Sequence, residues 1–431
     1  MGEKTNNKRA EAVARTRKMR ARNSRRIKWF IAFISVFVAF ALGFMVRGNV
    51  QLLQMLGFPQ SMTGITKSEA DATSPKKDVF NALSSRVAEM EDVLASDSLD
   101  TFDLDGVTND VLSAFATGTT DPYVRYYSQE RYEQLLNTQS EGYAGIGVLF
   151  SEYNGAAYVV DVFEGAAAQL AGVEEGDFVV AIDGDRSQVW SRSEVTSILS
   201  NHAGESVIIT WRRPESLEAS GGKEFTTTLE CAEYTNTNLT TDYDEGSAVG
   251  YIKLRQLTQN AATLTRRAIT ELDAQGAMAF VLDLRDNPGG YLTQAVDIAG
   301  LFMNGGTVVE IQTKNGTTSK TASGTTATEK PLVVLVNKST AAAAEVLAAA
   351  LRDSQRATLV GTTTMGKGSV QVLAQLSFKG AIRYTAAYYR TPEGRAIEQV
   401  GISPNDYVEA SGENDNQRDF AIEIARSLEA E

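Results

Sequence analysis

Apolar positions along the chain change their period several times, and the changes divide it. Trp29 to Val46 is an unbroken run of eighteen residues without a charge, long enough for a helix that spans a bilayer. Residues 47–77 show no sustained period and read as a polar stalk. Between 78 and 140 apolar residues return at three- and four-residue intervals, which predicts two or three short helices. Short strand-like runs separated by glycines follow from 141. Beyond 233 strands alternate with helices: Val249 to Leu254 and Ala279 to Leu284 as strands, Asn260 to Gln275 as a helix between them. Residues 304–330, rich in Gly, Thr and Lys, predict a hairpin or exposed loop, and residues 411–431 a final acidic helix.

The densest part of the pattern is 331–371. Pro331 to Val336 is an apolar run of the kind found in strands covered on both faces. Asn337 to Thr340 supplies polar residues suited to starting a helix, expected over Ala341 to Arg352, where Val346, Leu347, Ala350 and Leu351 form one stripe. Thr358 to Val360 returns as a strand. Gly361 opens a loop that delivers Lys367 between Gly366 and Gly368. The helix start would face whatever lies beyond the strand ends and favour negative charge there.

Composition narrows the chemistry. The chain has 431 residues, 43% of them hydrophobic, which suits two or three folded domains rather than a disordered protein. One cysteine, Cys231, excludes a disulfide framework and a multi-cysteine zinc site, and no metal or cofactor is expected. The single histidine, His202, falls near the end of a helix expected over Trp190 to His202, so a lysine base suits this chain better than a histidine. The net charge of −13 is unevenly spread: residues 1–28 hold eleven Lys and Arg against Glu3 and Glu11, about +9. A basic tail directly before Trp29 to Val46 predicts a single-pass anchor with the N-terminus in the cytoplasm and the remainder outside it. A cleaved signal peptide is the rival, but no small-residue cleavage site precedes Arg47. Membrane topology already accounts for the basic tail, so nucleic acid is not expected as a partner.

Three motifs carry a resemblance. Asn337, Thr340, Ala341, Ala343, Glu345 and Val346, followed by Gly366, Lys367, Gly368, Val370 and Gln371, resemble the signature of the carboxyl-terminal processing peptidases, or tail-specific proteases, which cut peptides with a Ser/Lys pair. The run DLRDNPGGYL at 283–292 resembles that family's glycine turn, and TDPYVRYY at 120–127 a segment preceding its binding module. Residues 141–232, with Gly145-Ile146-Gly147 ahead of a strand and GAAAQLAGVEEGDFVVAIDGD at 165–185, resemble a PDZ domain. In such a domain backbone N–H groups beside a strand edge take a peptide's terminal carboxylate.

The resemblance, which covers about residues 78–410, implies an α/β peptidase core (233–410) with an inserted PDZ domain (141–232) after an N-terminal helical region (78–140); the single N-terminal transmembrane helix (29–46) and the final acidic helix (411–431) are expected from the residue pattern itself. It implies Lys367 as general base, Gln371 as the residue orienting it, and an oxyanion hole from Gly289 or Gly290 with Ala343. Lys367 is expected to be held neutral by burial among glycines and apolar neighbours. Asp283 and Arg285 are expected to pair structurally. Two positions depart from the family: Asn405 stands where a late segment of the family usually has an acid, and Ala342 stands where the nucleophilic serine belongs. The chain reads either as an enzyme whose serine has been replaced or as a natural pseudoprotease acting as a PDZ peptide-binding or scaffold protein. Expected partners are proteins or peptides with a free C-terminus, the membrane, an activating or substrate-delivering protein, and further copies of the chain.

Overall fold

The computed structural model describes residues 76–99, 103–136, 144–234, 238–322, 324, 326–411 and 414–429. The basic tail, the expected anchor at 29–46 and the stalk up to residue 75 lie outside the described residues. Among the described residues no helix is long and apolar enough to cross a membrane. The chain forms two units, residues 1–102 and 103–431. In the first, Lys76–Asp97 is helix α1.

The second unit opens with α2 (Leu104–Thr117), β1 (Arg125–Tyr127) and α3 (Gln129–Leu136). Asp103 caps α2 by accepting from the N–H of Asp105. The helical region expected over 78–140 is therefore divided, and one part of it is not helical. Arg125 to Tyr127 is a strand, paired antiparallel with Ala381 to Arg383. Its partner lies more than 250 residues away, so no local pattern reveals the pairing.

The expected PDZ segment holds the short ribbon of β2 (Ala144–Gly145) and β8 (Ala232–Glu233), and an antiparallel sheet ordered β3-β4-β5-β6-β7. The strands of this sheet are β3 (Val148–Tyr153), β4 (Ala156–Val162), β5 (Phe178–Ile182), β6 (Ser206–Arg213) and β7 (Lys223–Glu230), with α4 (Ala167–Leu170) and α5 (Arg192–Asn201) beside them. Alternate residues of β6, Val207, Ile209 and Trp211, point into one core with Phe150, Val195 and Leu199. Ser191 and Glu194 close a reciprocal capping box at the start of α5.

The remaining elements build the α/β core. They are β9 (Leu239–Asp244), β10 (Val249–Leu254), α6 (Ala261–Gln275), β11 (Ala279–Asp283), α7 (Leu292–Phe302), β12 (Thr307–Thr313), β13 (Gly316–Thr321) and β14 (Leu332–Val336). After them come α8 (Ala343–Asp353), β15 (Thr358–Gly361), β16 (Ser369–Gln375), β17 (Ala381–Arg390), β18 (Asp406–Tyr407) and α9 (Asn416–Glu429). The main sheet runs β18-β15-β14-β11-β10-β9, parallel except for β9. The unbroken apolar run of β14 is explained by cover on both faces. Leu332, Val334 and Val336 pack with α6, α7 and α8, while Val333 and Leu335 pack against Ala421 and Ala425 of α9. In the second sheet β16 pairs one edge of β17, and β1 and β12 pair the other. The turns after β11 and β14 meet at the carboxyl ends of adjacent parallel strands, where open α/β sheets place their sites.

Candidate active site

The chain between β14 and α8 is held by its own polar side chains. Thr340 Oγ1 donates to the carbonyl of Leu284 at 2.8 Å and accepts from the N–H of Asn337 at 3.0 Å. Asn337 Oδ1 accepts from the N–H groups of Asp286 and Ser339, and its Nδ2 donates to Asp286 at 2.7 Å. The N–H of Ala341 donates to the carbonyl of Asn287 at 2.9 Å, locking this turn to the glycine turn. The helix expected from Ala341 begins at Ala343 instead. Ala342 stands just before it at φ 53° and ψ −120°. Few residues other than glycine or asparagine adopt this backbone, because Cβ crowds the carbonyl. The strand-to-helix turns that project a nucleophile above a sheet are strained in a comparable way.

Glu345, one turn into α8, ties this position to the lysine loop. It is fully buried and accepts four hydrogen bonds: from the N–H of Ala342 (2.9 Å), the N–H of Gly366 (2.7 Å), the N–H of Lys367 (2.8 Å) and Thr364 Oγ1 (2.5 Å). Burial pushes its carboxyl up to about 7, against the pull of these donors. Sequence reasoning recognised Glu345 as a motif letter but gave it no role. The signal was an acid three residues after position 342, followed on the same helix by six apolar residues, Val346 to Leu351.

Gly289 lies against the same turn. A Cβ on it would sit 2.8 Å from the carbonyl of Ala341 and 3.0 Å from both Ala342 Cβ and Ala343 N, at a φ of +84°. The N–H of Gly289 is already engaged, donating to Asn287 Oδ1 at 2.9 Å. Gly290 is exposed, and among the described residues neither its N–H nor that of Ala343 meets an acceptor. Asp283 and Arg285 do pair, at 2.8 Å, and Arg285 reaches on to Asp415 ahead of α9.

Lys367 is not surrounded as its glycines and apolar neighbours suggested. Its Nζ lies over the ring of Tyr123, 5.6 Å from the centroid, and charged groups face it from several elements. Burial lowers its proton affinity, Glu152 raises it, Arg192 and Arg383 lower it, and Glu398 raises it, with the net result below the ordinary lysine value. Gln371 lies on β16 next to a bulge, opposite Thr385. Among the described residues its Nε2 is buried without a partner, so no hydrogen bond from that atom joins it to the lysine.

The PDZ segment borders this site. Glu152 at the end of β3 is buried and pairs with Arg383 of β17 at 3.2 Å, also accepting from the N–H of Arg192 at 3.2 Å. Its carboxyl is held below the ordinary range: burial pushes it up, and Lys367 and Arg383 outweigh that. Met365 of the lysine loop packs on Tyr158, Val160 and Phe178 from the outer face of the PDZ sheet. Asp161 pairs with Arg255 of the core. Gly145, Ile146 and Gly147 lie apart from these contacts. The carbonyls of Ile146 and Gly147 accept from Ala168 and Phe163, and Ile146 is fully buried.

Comparison with known proteins follows the same division. The model of peptidase family S41 matches residues 248–408, and that of the PDZ domain residues 158–213. A carboxyl-terminal-processing protease of Synechocystis is 37% identical over 67% of this chain and 68% of its own length. The carboxy-terminal processing protease CtpA of Bacillus subtilis is 28% identical over 87% of this chain and 76% of its own. Among solved structures, the photosystem II D1 C-terminal processing protease superposes with a TM-score of 0.62 at 26% identity, covering 78% of this chain and 90% of its own.

Proposed function

Because the chain belongs to the carboxyl-terminal processing peptidases of family S41, we propose that it is built to cut protein tails with a Ser/Lys pair and lacks only the nucleophile's oxygen. The observation that carries this reading is Ala342 itself. A strained backbone at φ 53°, tethered through Glu345 to Lys367, serves no purpose an ordinary helix start would not serve better. With a serine at 342, Lys367 in its neutral form takes the hydroxyl proton as the oxygen bonds to the substrate carbonyl carbon. The tetrahedral oxyanion accepts from the N–H groups of Gly290 and Ala343, since that of Gly289 is committed to Asn287. Collapse breaks the peptide bond, the leaving amine takes the proton from Lys367, and water then releases the acyl group.

The PDZ segment presents substrate C-termini through the backbone of Gly145 to Gly147, and its contacts with Lys367's surroundings make this arrangement a resting one. Gln371 engages the lysine, and substrate enters, once the PDZ segment shifts. An activating or delivering partner is one way to shift it. The membrane anchor at 29–46, with the catalytic part outside the cytoplasm, and self-association belong to the same proposal. A second reading is favoured by Ala342 taken at face value: a pseudoprotease that binds peptide tails without cutting them.

Cleavage of an unstructured protein with an apolar C-terminus separates the two. Ala342→Ser cuts it, by orders of magnitude above the chain as it stands, and Lys367→Ala in that background abolishes cutting. A folded serine variant that stays inert, with the PDZ segment present or deleted, favours the binding protein.

A further inference from the structure

We infer that α1 pairs with α1 of a second copy of this chain as a parallel, in-register coiled coil. The helix runs for 22 residues, Lys76–Asp97, about 33 Å at 1.5 Å per residue. Leu83, Val87, Met90 and Leu94 follow one another along it at intervals of four, three and four. That alternation is the apolar seam of a heptad repeat, with Val87 and Leu94 at a and Leu83 and Met90 at d. In the sequence Phe80 extends the same spacing toward the N-terminus. Among the described residues the seam is open: Leu83, Met90 and Leu94 are exposed, Met90 by 65%, and Val87 is half-buried. The position farthest from the seam is held by Asp78, Ser85 and Asp92, all polar.

The charges beside the seam identify its occupant. Arg86 at g and Glu91 at e are both exposed. In a parallel pair, g of one helix faces e of the following heptad of the other, so Arg86 of each copy faces Glu91 of the other and the contact is made twice by symmetry. An antiparallel pair sets g against g and e against e, and both ion pairs are lost. A β-branched Val87 at a with Leu83 at d favours two strands over three or four. A lipid surface is a poorer occupant, because α1 carries five acidic residues against three basic and anionic headgroups repel that balance. Parallel pairing also leaves both N-terminal ends together, which suits the anchor proposed above. The pairing gives self-association a surface and a register, and it rests on neither the anchor nor the cleavage chemistry.

Single cysteines near the two ends of the seam, Leu83→Cys and Leu94→Cys in the full chain, test this by oxidation and non-reducing electrophoresis; the native Cys231 is buried, and the unaltered chain serves as control. Each variant alone is expected to give a disulfide-linked dimer, because in register each position meets itself. Dimers that form only when the two variants are mixed make the pair antiparallel, and no dimer under either condition removes the second copy as occupant; both results overturn the proposal. Sedimentation equilibrium of chains with the native seam gives a readout that no cysteine perturbs. Arg86→Glu is expected to raise the dissociation constant of the dimer about tenfold or more, and Arg86→Glu combined with Glu91→Arg to restore it. Self-association unchanged by the single reversal, or left as weak in the double variant as in the single, overturns the proposal as well. No turnover is involved, so these outcomes stand apart from whether the serine variant cuts.

Discussion

Glu345 is subject to two opposed demands. Complete burial favours the neutral acid, whereas three backbone N–H groups and a hydroxyl favour the carboxylate, and its pKa settles at about 7. A group raised in the folded state from an ordinary 4.5 contributes stability that is fully present below 4.5 and lost as pH rises through 7. The melting temperature is therefore expected to fall between pH 5 and pH 8, and Glu345→Gln should flatten that fall. The glutamine keeps one acceptor oxygen and turns an NH₂ toward donors, so it should also cost about 2–4 kcal/mol. Thermal melts of the two proteins across this pH range check both statements. The motif letter was legible in the sequence through the resemblance to the family signature. Its role was not, because three of its four donors come from residues 364–367, on a loop some twenty residues away.

At the scale of elements, the strands and helices of the core were legible wherever burial is two-sided. Leu332 to Val336 could only be a covered strand, and the stripe through Val346 and Leu351 only a helix on a sheet. The start of α8 was misplaced by two residues because a positive φ at an alanine follows from tertiary ties, not from propensity. β1 was missed for a related reason, three residues being too few to show a period. The glycine turn shows the converse. Gly289 is required by both its φ of +84° and the 2.8 Å approach of the Ala341 carbonyl to any Cβ. Gly289→Ala should destabilise by more than about 1 kcal/mol and displace the turn that carries Gly290. Denaturant unfolding measures the first effect, and in an active serine variant a fall in kcat larger than any rise in KM reports the second.

Across the whole molecule, the PDZ segment and the peptidase core share one electrostatic centre, and no sequence pattern showed it. Glu152 and Lys367 are separated by more than 200 residues, and only the fold makes one sensitive to the other's charge. Glu152→Gln removes an attraction that raises the proton affinity of Lys367, so in a serine variant the limb of the pH–rate profile set by the neutral lysine should move to lower pH. It also breaks the pair with Arg383, and limited proteolysis should then cut between the PDZ segment and the core more readily. An unmoved limb would separate Glu152 from the base. All of this depends on position 342 being a nucleophile's seat. The most direct measurement is covalent labelling of Ala342→Ser by a small serine-directed acylating reagent, read by intact mass, beside the same protein carrying Lys367→Ala. One adduct on the introduced serine, absent in the double variant and in the chain as it stands, is the predicted result; a folded Ala342→Ser protein that takes no label, or takes it equally without Lys367, would contradict the account.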